Sequence, residues 1–436
     1  MGMINMLMML VFMLMSTINI YATDDTMVVE LDLNTALKKA QAVSLNVLLA
    51  DARVEESMAR LGQSRAALLP HVSGAIAWER QTKDLRSSGL QFPGQGTSLG
   101  PFNSFDARGR ITQTIFDAAV LERLRAARLG TILSTLQAEK AKEDALALTA
   151  TLYIQAKRAK ESVATVAAAL KRDYLAYQIQ QTKFSQGTGS SLGVAQAKAA
   201  YAHSRYLYQM AKTDALEKRL DLGALLKIPR DTRIVFNEHR YNGILGKKRL
   251  TDAPVKFFAL ETAQAQLNVQ ESQARAAALD FGPRINLFGD YGRAGTSPDR
   301  GSNTYAFGLQ ATIPIWEGGI KSANLKEANA VLKETKASLD DAGYQADNSI
   351  VNAGAKLKEA WYLVIAQMAN VALAQEEVQV IKQRVASGLA NALDIADAKA
   401  RYSHVMDDYK EAVASYWMST IQLAHARGQM GFFIKN

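Results

Sequence analysis

Two carboxylates near the start of a predicted C-terminal helix are the side chains best placed to do chemistry. Asp394 and Asp397 are three residues apart, so a helix that begins near Asn391 carries both on one face. Carboxylates grouped in this way attract cations. The alternative is structural, because acidic side chains in a first turn stabilise the helix dipole and Asn391 is a good N-cap. The residues alone leave both interpretations open.

Other reactive groups are sparse. The chain has 436 residues, is 48% hydrophobic and 21% charged, and contains no cysteine, so it is not a disordered protein and has no disulfide or thiolate site. The five histidines are scattered and match no metal-ligand spacing, and the pair His203 and His404 is interpreted as packing residues. No nucleophile or phosphate-binding motif stands out. We therefore predict no enzyme, no cofactor and no metal site.

The first 22 residues carry no charged side chain and indicate a secretory signal peptide over 1–22. An apolar run from Met6 to Met15 precedes a small-residue cleavage pattern that ends at Ala22. An uncleaved membrane anchor is the alternative, although the run is short for a full span. Export disfavours nucleic acid as the partner of the net charge of +9.

Helices of unusual length are predicted from the distribution of proline, which is absent from 102–228 and from 315–436. These stretches are rich in strong helix formers. Long helices are expected at about 118–184 and 317–385, each about 100 Å long at the usual rise per residue. Shorter helices are expected at about 33–68, 190–227, 256–280 and 391–428.

The two halves of the chain are repeats. Segments 187–208 and 388–409 align without gaps at an offset of 201 residues. The repeats are predicted at 23–228 and 255–436, with a linker at 229–254 and helix turns at about 185–192 and 386–393. The identical pairs are Gly187/Gly388, Leu192/Leu393, Ala195/Ala396, Ala197/Ala398, Lys198/Lys399, Ala199/Ala400, Tyr201/Tyr402, His203/His404 and Tyr208/Tyr409.

Four segments between the helices alternate with the period of a β-strand, at about 71–82, 104–116, 284–293 and 304–315. Alternating strands of this length with aromatic ends are typical of outer-membrane barrels, although a soluble sheet with one wet face also alternates. Strand direction places Trp78, Phe105 and Tyr305 near the loop end, and Phe116 and Trp316 near the other end. These five aromatic residues are the predicted membrane girdle.

Four strands are too few to close a barrel, since small barrels need about eight. Every strand edge must be paired within lipid. A barrel built from this chain would therefore be shared between several copies.

With these features together, the chain resembles the TolC-like family of outer-membrane efflux proteins. The resemblance rests on the segments 307–319 and 387–398 and on the duplication, and it covers nearly all of the mature chain. It implies a mainly α fold with a transmembrane β-barrel, in which each repeat supplies two strands, one long helix and two half-length helices. It further implies a homotrimer with a twelve-stranded barrel and a twelve-helix periplasmic tunnel, with the linker in its equatorial region.

The same resemblance implies a function. Such a protein is the outer-membrane exit channel of a tripartite efflux pump or, alternatively, the duct of a type I protein secretion system. Its partners would be a periplasmic adaptor (a membrane fusion protein), an inner-membrane transporter and outer-membrane lipid, and not nucleic acid. From another class, a soluble periplasmic coiled-coil structural protein is the competing hypothesis.

The resemblance also gives roles to residues. Asp394 and Asp397 would line the periplasmic constriction, where three chains contribute six carboxylates. The turn residues Gly187, Leu192, Gly388 and Leu393 would dock the adaptor. No feature of the sequence identifies the polar residues that lock the tip, although Lys382 and Arg384 lie nearby.

Overall fold

A computed structural model describes residues 28–84, 98–236 and 255–435. The predicted signal peptide lies outside the described residues. So do the middle of the loop between the first two predicted strands, 85–97, and most of the predicted linker, 237–254.

The described residues form a mainly helical protein with two small β-sheets. The helices are α1 (Leu33–Val43), α2 (Leu45–Ala66), α3 (Ala118–Ser185), α4 (Ser191–Leu225), α5 (Phe258–Leu279), α6 (Ile320–Ala386), α7 (Ala392–Ala426) and α8 (Phe432–Lys435). The strands are β1 (Val28–Leu31), β2 (His71–Asp84), β3 (Ser98–Asp117), β4 (Arg233–Phe236), β5 (Arg284–Gly295) and β6 (Gly301–Thr312).

The two long helices have 68 residues in α3 and 67 residues in α6. Their bounds agree closely with the ranges 118–184 and 317–385 that the absence of proline predicted. The helix predicted at 33–68 is instead two helices, because Ser44 is extended, with φ −62° and ψ 127°, and is buried. Serine competes with the helical backbone for hydrogen bonds and favours helix ends, which a count of helix formers does not capture.

No helix in the described ranges combines the length and the apolar character that a membrane span requires.

The larger sheet has four antiparallel strands in the order β2-β3-β5-β6, so β3 and β5 join the two halves of the chain. The outer strands β2 and β6 leave one edge each unpaired within this sheet. Strand β3 begins six residues earlier than predicted, and β6 ends at Thr312 rather than at 315. Pro314 explains the early end of β6, since proline cannot donate to a ladder.

Alternation along these strands separates an apolar face from a polar one. One row of paired residues is Val72, Ile111, Gly289 and Phe307, and the next row is Ser73, Arg110, Asp290 and Ala306. A β-bulge between Thr114 and Phe116 shifts the register and brings Phe116 opposite Ile285, on the apolar face. Strict alternation from Ile111 would have placed Phe116 on the polar face.

The two strand-to-helix junctions differ between the halves. Strand β3 runs directly into α3, and the Asp117 carboxylate accepts hydrogen bonds from the backbone N–H groups of Ala119 (2.9 Å) and Val120 (3.1 Å). Before α6 the chain turns instead through Gly318 (φ 63°) and Gly319 (φ 84°). Only glycine adopts this left-handed backbone without strain, so the second junction depends on residue type at two successive positions.

The chain divides into two compact units, and each takes residues from both halves. Among the described residues, one unit comprises 28–39, 152–236 and 373–407. In it β1 pairs in parallel with β4, and the buried Tyr153 donates a hydrogen bond to the Leu31 carbonyl at 3.1 Å. The other unit comprises 40–84, 98–151, 255–372 and 408–435 of the described residues, and its core includes Leu146, Val364 and Ile421. Neither β1 nor β4 was expected from the sequence.

Candidate functional site

The two helix turns have the same backbone geometry. After α3, Gly187 has φ 76°, its N–H donates to the Phe184 carbonyl (3.0 Å), and the Thr188 N–H donates to Lys183 (2.9 Å). After α6, Gly388 has φ 74°, its N–H donates to Val385 (3.0 Å), and the Leu389 N–H donates to Arg384 (2.8 Å). These bonds satisfy the last carbonyls of each helix, and the left-handed position explains why glycine stands at both turns.

The helices that follow the turns are capped differently. The Ser190 hydroxyl accepts one hydrogen bond, from the Gly193 N–H at 3.0 Å. The Asn391 side-chain oxygen accepts two, from Leu393 (2.8 Å) and Asp394 (3.2 Å). In return the Asp394 carboxylate accepts the Asn391 N–H at 2.7 Å, which completes a reciprocal capping box. The capping role, which the sequence left open as an alternative for Asp394, is therefore present in the structure.

Asp397 lies beside an arginine from the first half of the chain. Its Oδ1 is 3.9 Å from Nε of Arg172, and 41% of its side chain is exposed. The Arg172 guanidinium binds more closely to Asp173, with Nη2 at 2.6 Å and Nε at 2.8 Å from Oδ1. Asp173 is buried and also accepts a hydrogen bond from the Ser204 hydroxyl. Among the described residues, the arginine beside the predicted constriction residue Asp397 is therefore Arg172. Lys382 and Arg384, which lie nearby in the sequence, do not form this contact.

A second polar contact joins α3 to α7 further along the same helices. Nη2 of Arg158 lies 2.7 Å from the Asp407 carboxylate, and both side chains are mostly buried. The Thr165 hydroxyl donates to the same carboxylate at 3.2 Å. Residues 158, 165 and 172 are spaced by seven, the interval that returns to one face of a helix. That spacing of polar side chains in a proline-free helix is the signal that could have identified the contact face.

The predicted turn residues differ in exposure although the repeats make them equivalent. Leu192 is 65% exposed, whereas Leu393 is half-buried. Leu389, which follows Gly388 and was not among the predicted docking residues, is 71% exposed. Within the turn segments 185–192 and 386–393 the exposed leucines are therefore Leu192 and Leu389, at positions that do not correspond in the repeats.

The five predicted girdle residues are all on or beside the four-stranded sheet. Trp78 pairs with Phe105, and their rings meet edge to face at 6.4 Å. Tyr305 pairs with Tyr291, a residue that the prediction missed, and lies four residues along the ladder from the row of Phe105. Phe116 is 43% exposed, and Trp316 is 81% exposed beyond the end of β6.

The polar face of the sheet carries a small charged group. Arg108 binds Asp106 on the same strand and reaches Asp290 on β5 at 3.1 Å. Arg110, two residues further along β3, is exposed. The apolar face and this charged face belong to the same four strands.

A titratable cluster lies where α7 ends. Nε2 of His425 is 2.6 Å from the Asp144 carboxylate, and the Met430 N–H donates to Glu143 at 2.9 Å. The hydrogen bond to His425 lowers the pKa of Asp144, whereas burial raises the pKa of the neighbouring Glu143. Within the described ranges, no group of three or more His, Asp or Glu side chains could hold a metal ion.

A family model described as outer membrane efflux protein matches residues 36–226 and 254–429. The chain is 22% identical over 380 residues to the alkaline protease secretion protein AprF of Pseudomonas aeruginosa, covering 84% of this chain and 77% of that protein. It is 26% identical over 135 residues to the proteases secretion protein PrtF of Dickeya chrysanthemi, and that match covers 29% of this chain and 28% of PrtF.

Solved structures share the fold at low sequence identity. The CmeC outer membrane channel of Campylobacter jejuni matches with a TM-score of 0.76 and 20% identity, over 91% of this chain and 85% of CmeC. The outer membrane protein VceC of Vibrio cholerae matches with a TM-score of 0.73 and 18% identity, over 91% of this chain and 96% of VceC.

Proposed function

The chain belongs to the outer membrane efflux protein family, and we propose that it is a passive exit channel for small molecules. It is a TolC-like protein of the bacterial outer membrane with a large periplasmic helical portion. In the proposed role it receives molecules from the periplasm or from an inner-membrane transporter and releases them outside. The family is one of channels rather than enzymes.

The observation that carries this proposal is the four-stranded sheet. Its apolar face exposes Val72 (77%), Ile76 (79%) and Phe307 (79%), and its outer strands β2 and β6 have unpaired edges within the sheet. Lipid covers such a face at no cost but does not pair the edges, so other strands must do so. Three copies would supply twelve strands, and the predicted girdle of Trp78, Phe105, Phe116, Tyr305 and Trp316 would meet the two membrane interfaces.

The helical turns would form the periplasmic end of the channel. Three copies would bring together six carboxylates from Asp394 and Asp397, which favour cations over anions in a narrow passage. The exposed leucines Leu192 and Leu389 would extend the docking surface predicted around Gly187 and Gly388, which an adaptor would bind. The adaptor would in turn connect the channel to an inner-membrane transporter.

Protein secretion is the second candidate function. It is favoured by the similarity to AprF, an alkaline protease secretion protein, which extends over 84% of this chain. The same architecture would then serve as the outer-membrane duct of a type I secretion system. A strain lacking the gene separates the two functions: it accumulates small toxic molecules in the first case and fails to export a specific protein in the second.

The test of the channel itself is the behaviour of the purified full-length protein. We expect it to require detergent, to cross-link as a trimer and to conduct ions in planar bilayers. In the double variant Asp394→Ala and Asp397→Ala, block of the current by divalent cations should weaken. The control is Glu377→Ala, which removes an exposed carboxylate on α6 and should leave the block unchanged. A stable, water-soluble monomer would support the coiled-coil structural protein instead.

A further inference from the structure

We infer that Arg110 on β3 is a specificity-determining residue that binds anionic groups of molecules passing along the polar face of the sheet. The inference rests on the proposed channel, in which the polar face lines the pore. It adds an anion-binding position in the strands to the cation-favouring carboxylates proposed at the helix turns.

The position of Arg110 in the sheet is fixed by the ladder. It pairs with Ser73 on β2 and with Asp290 on β5, and Ala306 on β6 completes the row. Two of these neighbours have small side chains, so the row places no bulky group beside the guanidinium. Arg110 itself is exposed.

The negative charges nearby are already engaged by another arginine. Arg108 binds Asp106 through Nε and Nη2, and its Nη1 lies 3.1 Å from Oδ1 of Asp290. The side chain of Asp290 is only 15% exposed, and that of Asp106 is 35% exposed. Among the described residues, Arg110 forms no hydrogen bond or salt bridge. The four charges balance in number, but Arg110 is exposed, whereas Asp106, Arg108 and Asp290 are partly buried.

A free guanidinium selects a particular chemistry. Its planar fork donates parallel hydrogen bonds to carboxylates and phosphates, and rings of arginine favour anions in pores. In the proposed trimer three copies of Arg110 would lie at one level of the barrel. The ligand class is therefore a molecule that bears a carboxylate or a phosphate.

The experiment compares charge variants of the full-length protein in planar bilayers. The reversal potential in a KCl gradient gives the ratio of chloride to potassium permeability. We expect Arg110→Gln to lower this ratio by about twofold, because each subunit loses one positive charge that attracts chloride. Arg110→Glu should lower the ratio further, and Arg110→Lys should keep most of it. Block of the current by citrate, added on the loop side, should weaken in the same order.

Arg80→Gln is the matched control, because Arg80 is exposed and alternation along β2 places it with Trp78 on the opposite face of the same sheet. It should change neither measurement. The series is repeated with Asp394→Ala and Asp397→Ala, so that the carboxylates of the turns do not dominate selectivity. Conducting channels in which Arg110→Gln and Arg110→Glu match the wild type would overturn the role of Arg110 alone. A wild-type protein that does not conduct would overturn the channel, and this inference with it.

Discussion

The hairpin of α3 and α4 and the hairpin of α6 and α7 turn through the same backbone geometry, yet different side chains hold each pair of helices together. Gly187 and Gly388 occupy the same left-handed position, and a polar N-cap follows each of them. The turn itself is therefore conserved between the repeats, while the contacts behind it have diverged.

In the first hairpin a buried hydrogen bond and a group of tyrosine rings join the two helices behind the turn. The ring of Tyr201 on α4 lies 5.2 Å from Tyr174 and 6.1 Å from Tyr177, both on α3. The buried Asp173 accepts the Ser204 hydroxyl. Aromatic contacts and buried hydrogen bonds depend little on ionic strength.

In the second hairpin the corresponding positions hold different residues. Tyr402 is kept, but Ala374, Gln375 and Val378 stand where the first half has Asp173, Tyr174 and Tyr177. Here Arg401 binds Glu377 at 2.7 Å, and their side chains are 53% and 42% exposed. The same turn therefore permits different contacts behind it: at this level the first hairpin has a buried hydrogen bond, and the second has an exposed ion pair that salt should weaken.

The largest expected effect is at Asp173. In Asp173→Ala, Ser204 and Arg172 lose their shared partner in a buried setting, so we expect a loss of about 2 kcal/mol in the free energy of unfolding. Asp173→Asn should lose less, because its side-chain oxygen can still accept the Ser204 hydroxyl. Thermal unfolding of the detergent-solubilised protein measures both. A cost for Asp173→Ala of only a few tenths would remove the distinction between the hairpins.

The two N-caps test the part that the hairpins share. Replacement of a capping side chain by alanine costs about 1 kcal/mol. Asn391→Ala should cost more than Ser190→Ala, since Asn391 accepts two hydrogen bonds and Ser190 accepts one. The same unfolding measurement ranks them, and the reverse order would show that the second hydrogen bond to the Asn391 side chain adds nothing.

The ion pair of the second hairpin should contribute little. Glu377→Ala removes an exposed contact, so we expect a cost of no more than about 0.5 kcal/mol that shrinks as NaCl is added. The effect of Asp173→Ala serves as the control and should persist in salt. An effect of Glu377→Ala as large as that of Asp173→Ala would contradict the proposed difference in shielding.

The smallest effect concerns acid sensitivity at the far end of α7, away from its turn. The pKa of Asp144 is lowered by His425, so this pair stabilises the fold above pH 3.8, the usual value, and the contribution is lost as pH falls through the lowered pKa. Asp144→Asn should therefore flatten the stability profile below about pH 4. Both side chains are 42% exposed, which keeps the change small.

Glu143 should affect the pH dependence of stability in the opposite direction to Asp144. Burial raises its pKa, so ionisation of Glu143 destabilises the fold and protonation relieves the cost as pH falls. Glu143→Gln can still accept the Met430 N–H and should raise stability near neutral pH. A profile that both variants leave unchanged would show that this end of α7 does not respond to acid.

Much of the fold could be predicted because its signals are local. The absence of proline, with glycine after each long helix, predicted α3 and α6, and alternation predicted the four strands. The break at Ser44 and the bulge beside Phe116 could not be read in this way. Both features depend on how the backbone packs and pairs in the folded protein. The residue types at these positions are compatible with a break or a bulge but do not specify one.

The sequence by itself determined the repeat, the ends of the two long helices and the alternation of the strands away from the bulge, because these follow from steric and polar preferences between neighbours in the chain. Only the tertiary structure decided that Asp397 faces Arg172, that Asp407 receives Arg158, and that Leu192 is exposed while Leu393 is half-buried. Such contacts join residues far apart in sequence. They depend on the register between packed helices, and the periodicity of one helix does not specify which residue of another lies opposite.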